Sequence, residues 1–350
     1  MRALQRDPVR GTQMKRLGKI LLYSALAGAL LLIAVISLTI GWRPFIGPKA
    51  RPLTSRKFEA TPQRLERGRY LAIGLSGCRE CHSQHDWNTH GAPIIPGTEG
   101  GGQWFNMPDL PGRVVAPNLT PDPQTGAGTW TDDQFARAIR EGIGHDGRAL
   151  FPMMPYQDFR NMSDEDVASI IVYLRSLPPA HSDLANTEII FPVKYLIRSV
   201  PEPLDAPVSS PDPSDRLKYG QYLVTLGGCR DCHTPQERGQ PVAGFAYAGG
   251  LLMRGPWGEV STANITPDAS GISYYDEALF IEMMRTGYVK ARKLNSIMPF
   301  GAFKNLTDDD LKAMFAYLRT VKPVQHRVDN TQPPTYCKLC RQKHGGGDQN

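Results

Sequence analysis

Cysteine is scarce in this 350-residue chain, with six in all, and none stands alone. They fall into three pairs of identical spacing, Cys78/Cys81, Cys229/Cys232 and Cys337/Cys340. That leaves no free cysteine for nucleophilic chemistry elsewhere. A basic excess is also missing from most of the chain. The net charge is +6, residues 1–57 alone carry +10, and so residues 58–350 carry −4. The high isoelectric point belongs to the first segment, and there is no case for nucleic-acid binding. From Ile20 to Trp42 charge is absent altogether.

Histidine is scarce too, yet two of the eight directly follow a cysteine pair: "CRECH" (Cys78–His82) and "CRDCH" (Cys229–His233). A zinc site would need two further ligands, and a redox CxxC has no use for the adjoining histidine. Covalent haem uses all three residues. The two thiols form thioethers with the haem, and the histidine takes one axial position on the iron. Two disulfides, each with an accidental histidine, are the competing account, and the recurrence argues against it.

The uncharged run Ile20–Trp42 is long enough to cross a bilayer, which takes about 20 residues. Signal-peptide cores are shorter, roughly 7–15 residues. An uncleaved anchor is therefore expected, with cleavage near Ala25 or Ala27 as the alternative. The flanks do not orient it, because residues 1–19 and 43–57 each carry +5. Haem of this type is attached outside the bacterial cytoplasmic membrane, which puts the N-terminus in the cytoplasm and the rest in the periplasm.

The chain repeats itself. "RGRYLAIGLSGCRECHS" (67–83) matches "KYGQYLVTLGGCRDCHT" (218–234) with one residue inserted. "APNLTPD" (116–122) matches "TANITPD" (262–268), and residues 153–179 match 297–323 without a gap. The organisation expected is an N-terminal tail, anchor and basic flank (1–57), a first haem domain (58–180), a proline-rich linker (181–212), a second haem domain (213–325) and a C-terminal tail (326–350). Within the linker, the apolar stretch Ile189–Ile197 is expected to pack on the protein. Thirty prolines and 34 glycines suit small, loop-rich domains around a cofactor.

Each domain is expected to be helical, giving an all-α fold. A first helix precedes each haem motif, at about 62–73 and 213–226. A middle helix covers about 132–142, with a capping box from Thr131 and Gln134, and its counterpart covers about 275–285. Last helices begin at Ser163 and Thr307, with acids in their first turns. Val167, Ile170, Ile171 and Leu174, like Leu311, Met314, Phe315 and Leu318, form an amphipathic stripe. Pro178 and Pro323 stop these helices.

The second axial ligand decides whether an iron is closed or open to chemistry. Of 11 methionines, Met154 and Met298 share one register, each before a proline that pushes it into extended loop geometry. They are the expected ligands opposite His82 and His233. Met153 has no counterpart, because position 297 is Ile. His85, His90 and His145 have no histidine counterparts, and His145 is the reserve ligand for the first iron. Asn118 and Asn264 recur and either line the haem edges or hold a loop turn.

With CxxCH, "PNLTPD", "GHDGRALFPMMPY" and "LTDDDL…YLR", the chain resembles diheme members of the cytochrome c family. It is similar to the haem subunits of periplasmic alcohol, aldehyde and sugar dehydrogenases. The resemblance covers most of 67–323. It implies two tandem class I-type haem domains, two covalent haem c groups and His/Met iron. It also implies electron relay from a dehydrogenase or quinol-oxidising complex to a terminal oxidase or soluble cytochrome in a respiratory chain, with no bond chemistry. Haem subunits of alcohol dehydrogenases often have three such domains, whereas this chain has two and an N-terminal anchor. A haem enzyme on the same scaffold, a peroxidase or a thiosulfate-oxidising cytochrome, is the alternative. It would need an open iron or a cysteine ligand, and both repeats carry the methionine instead. A third reading makes the tail the working part of a structural or sensing subunit.

That tail holds Cys337 and Cys340, with Arg341 where a haem histidine would stand. A third haem is not expected on that ground. A disulfide is the favoured expectation in an oxidising compartment, and a zinc site with His344 and Asp348 is the alternative.

Overall fold

The computed structural model describes residues 8–237 and 239–345. The first helix, α1 (Pro8–Leu38), contains an apolar stretch, Arg16–Leu38, that is 23 residues long and unburied. By length and composition it can cross a membrane, and a signal sequence would pass the same test. The chain turns at Gly41, where Trp42 donates its indole N–H to Ser37 Oγ at 3.0 Å. A short helix α2 (Arg43–Ile46) follows.

The first repeat contains α3 (Pro62–Tyr70), α4 (Cys78–Cys81), α5 (Asp132–Glu141), α6 (Tyr156–Phe159) and α7 (Asp164–Arg175). After the turn α8 (Val193–Leu196), the second repeat runs through α9 (Arg216–Leu226), α10 (Cys229–Cys232), α11 (Glu277–Thr286), α12 (Phe300–Phe303) and α13 (Asp308–Leu318). The capping box forms as expected: Gln134 N–H donates to Thr131 Oγ1 at 3.1 Å, and Thr131 N–H to Gln134 Oε1 at 2.7 Å. Ser163 and Thr307 cap α7 and α13.

The one-residue insertion has a local solution. Between Tyr70 and Cys78 the helix widens into a π turn, Leu71–Leu75, which takes up an extra residue without breaking the helix. In the second repeat α9 runs on regularly to Leu226.

Two crossings frame the fold, α3 on α7 and α9 on α13. Each is closed by a glycine. A Cβ on Gly68 would stand 1.8 Å from the Ser169 carbonyl oxygen, and one on Gly220 would stand 2.1 Å from that of Ala313. The stripes on α7 and α13 face inward, with Val167, Ile170, Ile171, Leu311 and Met314 fully buried. The buried apolar cluster is continuous through both repeats, across the expected domain boundary.

The repeats lock together reciprocally. Tyr222 of α9 donates to Asp166 Oδ2 at 2.7 Å and accepts from Ser163 N–H at 3.0 Å, at the start of α7. Tyr70 of α3 donates to Asp310 and accepts from Thr307 N–H at 3.1 Å, at the start of α13. Each first helix thus clasps the cap of the other repeat's last helix, the pattern of a two-fold interface.

Two expectations need amendment. The segments between helices are not purely irregular, because six two-stranded ladders occur among the described residues. The longest pairs Leu252–Gly255 with Gly258–Ser261 around Pro256 and Trp257. Such pairs satisfy backbone groups where Gly and Pro prevent helix. The proline-rich segment is also no free spacer. Glu188–Ile189 pairs with Gly112–Arg113, Asp164 N–H donates to Val208 O at 2.9 Å, and Arg198 reaches Pro44 O at 3.1 Å.

Candidate haem sites

The two CxxCH motifs are built alike. Gly77 and Gly228 precede them at φ 53° and 64°, a left-handed turn that ends one helix and starts the next. The cysteines lie on the single turns α4 and α10, and each histidine follows as the cap. His82 Nδ1 lies 2.7 Å from Pro117 O, and His233 Nδ1 lies 2.7 Å from Ala263 O. A ring N–H given to a carbonyl fixes the tautomer and leaves Nε2 bare as a ligand. Burial pushes the His82 imidazole down to about 4, so it stays neutral, the form that binds a metal.

The carbonyls that orient the histidines come from the repeated "PNLTPD" and "ANITPD" loops, which sequence reasoning did not connect with the irons. Asn118 Oδ1 accepts from Thr120 N–H and Oγ1–H, and its amide donates to Ala180 O at 2.6 Å. Asn264 does the same with Thr266 and with Val324 O at 2.9 Å. Both asparagines hold the loop turn, and Asn118 also lines the first cavity. Each ties the loop to the chain leaving the last helix. The signal was their identical register beside proline or alanine, but a backbone acceptor has no side-chain signature.

Met154 and Met298 occupy matching turns. Met154 N–H donates to Phe151 O at 3.1 Å and Met298 N–H to Asn295 O at 3.1 Å, and each methionine carbonyl accepts from the aromatic residue two positions on. Both methionines pack against the core. In the first repeat a cavity of about 1270 Å³ is lined by Cys78, Cys81, His82 and Met154 together. Trp130, Phe135 and Leu174 form part of its apolar wall. A donor set of two thiols, a buried neutral imidazole and a thioether around one apolar cavity fits a covalently held haem.

The reserve ligands separate. His145 lines the same cavity but stacks on Trp130 with ring centroids 4.5 Å apart. His85 engages both ring nitrogens with carbonyls, those of Ala92 and Glu80. His90 lies against Phe300 and Tyr288 of the other repeat.

Burial raises the Cys232 thiol, and the charges of Asp231, Cys81 and Asp158 add to the effect. Asp158 of α6 meets Asp231 of the second motif, and burial, then the hydrogen bond and charge of Asp231, hold its carboxyl up at about 8.

In the tail, Cys337 and Cys340 are not bonded to each other, as none of the six cysteines is. Their turn directs them toward His344 and toward His326, a residue the sequence did not single out. Asp348 lies outside the described residues.

This geometry fits covalently held haem, and comparison with known proteins points the same way. The cytochrome c family model matches residues 66–178, so this segment is a cytochrome c domain, and such domains carry covalently bound haem c. The chain is 26% identical over 284 residues to the cytochrome c subunit of the quinone-dependent alcohol dehydrogenase of Gluconobacter oxydans, covering 74% of this chain and 55% of that one. It is 29% identical over 286 residues to the fructose dehydrogenase cytochrome subunit of Gluconobacter japonicus, with coverages of 78% and 56%. It is 29% identical over 263 residues to a diheme c-type cytochrome of Cereibacter sphaeroides, with coverages of 71% and 83%. The chain thus spans about half the length of the two dehydrogenase subunits.

Proposed function

We propose that this protein is a membrane-anchored, periplasmic diheme cytochrome c. It would relay electrons from a dehydrogenase or quinol-oxidising complex to a terminal oxidase or soluble cytochrome. The observation that carries the reading is the duplication of one site geometry: a CxxCH turn, a histidine fixed by a carbonyl at 2.7 Å, and a Met-Pro turn in equal register. On this reading Cys78, Cys81, His82 and Met154 hold one haem, and Cys229, Cys232, His233 and Met298 hold the other. Bound haem supplies reversible one-electron exchange at iron. The chain's own residues fix the ligands, exclude water and set the spacing.

The membrane reading is supported by more than α1. Phe45, Ile46, Ile190 and Phe191 are exposed apolar side chains on or beside α2 and α8, which pack together just after the anchor. Arg43 and Lys194 lie among them, a mixture suited to the headgroup region. Phe45 and Ile46 also border the first cavity, which supports a position of that site close to the membrane surface on this reading.

A potentiometric titration of the full chain in detergent tests the relay. Two high-potential waves are expected, one falling on Met154→Ala and the other on Met298→Ala. A wild-type wave already low and unmoved by its methionine substitution would sink the two-site relay.

A further inference from the structure

Four side chains that the haem sites do not use converge at the C-terminal end. One ligand atom each from His326, Cys337, Cys340 and His344 lies within 4.8 Å of every other. His326 Nε2 is 3.5 Å from Cys337 Sγ. The edges of a zinc tetrahedron with two sulfurs and two nitrogens are about 3.3–3.8 Å. His326 and Cys340 are fully buried.

The surroundings are those of a prepared site. His326 Nδ1 is held by Ala248 O at 2.8 Å, which leaves Nε2 directed at the cluster. His344 Nε2 is buried with no hydrogen-bond partner, a cost a structure normally avoids unless an ion or water meets the atom. Gly250 leaves the space the two rings need, because a Cβ there would stand 2.7 Å from His326 Cε1. The cysteines sit on a tight turn closed by Arg341 N–H to Cys337 O at 2.9 Å and Cys337 N–H to Gln342 O at 2.8 Å. A two-stranded ladder, Thr335–Tyr336 with Lys343–His344, carries that turn.

We propose that these residues form a structural Cys2His2 zinc site, independent of how many haems the chain carries. Two thiolates and two neutral imidazoles close the coordination sphere, which leaves no position for substrate. The site staples the tail to the second repeat. Asn330 exchanges two hydrogen bonds with the Ser261 backbone at 2.9 and 2.8 Å, and Gly345 N–H reaches Ser261 Oγ at 3.2 Å. Ala248, which holds His326, precedes Gly249, whose N–H holds the His233 carbonyl at 2.8 Å. The tail thus braces the loop that holds the His233 carbonyl of the second haem motif.

The test is metal analysis of the full chain, purified in detergent without added zinc, with X-ray absorption at the zinc edge, which is readable through haem. One zinc per chain is expected, with two sulfurs at about 2.3 Å and two nitrogens at about 2.0–2.1 Å. His344→Ala should lose at least tenfold in zinc affinity. His344→Cys should retain zinc with three sulfurs, so a folding defect is told apart from a lost ligand. Zinc-free protein whose thiols appear only after reduction would overturn the proposal in favour of a disulfide. An oxygen-rich, six-coordinate spectrum would overturn it as adventitious binding.

Discussion

The two repeats share the parts that build the proposed haem sites and differ in the parts that cover them. Both keep the glycine crossing, the tyrosine clasp, the carbonyl-fixed histidine and the Met-Pro turn. The coverings are unrelated. The first repeat is strapped by the chain coming from α1 and α2, where Arg51 pairs with Asp133 and Glu141, both at 2.8 Å. Aligning the helix ends at Gly142 and Gly287, the positions of those carboxylates hold Ala278 and Thr286. Among the described residues the second repeat has no such strap and is braced by the tail instead. His82 is buried while His233 is only partly so. The difference teaches that duplication preserved the electron-transfer geometry while each copy acquired its own wrapping.

The largest expected effect removes the strap. Arg51→Ala leaves Asp133 and Glu141 buried without their cation, and breaking a buried pair from one side costs about 3–5 kcal/mol. Denaturant unfolding followed at the first haem should register the loss, with the second haem less affected. A loss under about 1 kcal/mol would mean that the strap is ornamental.

The glycine crossings should break symmetrically. In Gly68→Ala or Gly220→Ala the new methyl meets a backbone oxygen rather than a movable side chain, at 1.8 and 2.1 Å. Overpacking of this kind costs about 1–3 kcal/mol. Equal losses would support one crossing used twice. A tolerated substitution in either repeat would show that its helices have room to slide.

The tyrosine clasps look equal but should not weigh equally. Asp166 keeps a two-pronged ion pair with Arg67, at 2.7 and 2.9 Å, when Tyr222 loses its hydroxyl. Asp310 has only Tyr70 as a side-chain donor among the described residues. Tyr70→Phe is therefore expected to cost about 1.5–3 kcal/mol, the range for hydrogen bonds to charged groups, and Tyr222→Phe about 0.5–1.5. Thermal unfolding of the two variants side by side decides, and a larger loss from Tyr222→Phe would reverse the argument.

Helices and caps were legible in the sequence, and the candidate haem-site residues stood out there, because each has a side-chain signature: a 3.6-residue stripe, Ser or Thr before acids, CxxCH. The repeat supplied the methionines. What remained hidden was carried by backbone or by distance along the chain. The carbonyls of Pro117 and Ala263 have no residue code. The π turn at Leu71–Leu75 was visible only as an insertion. His326 stands 11 residues before Cys337 in an unpatterned stretch, and only the fold brings it to the tail cysteines. The disulfide expectation followed from compartment alone, which says nothing of what else a cysteine pair faces.

The smallest effect concerns pH, and it too separates the repeats. Asp133 is held down at about 2, against an ordinary 3.8, by Arg51 and by the Thr54 N–H that donates to it at 2.6 Å. The native state therefore holds fewer protons than the unfolded chain in this window, and stability falls on acidification. The contribution is complete above about pH 4 and is lost as pH falls through about 2. Glu141 works the other way, because burial raises its carboxyl despite Arg51, so acidification relieves part of the strain. Comparing wild type with Asp133→Asn isolates the first effect from acid attack on the haem ligands, which both proteins share. The wild-type advantage should shrink steadily between pH 4 and 2 when unfolding is read at the first haem, with little change at the second. An advantage that stays constant across that range would mean that the pairing of Arg51 with Asp133 does not hold the strap in solution.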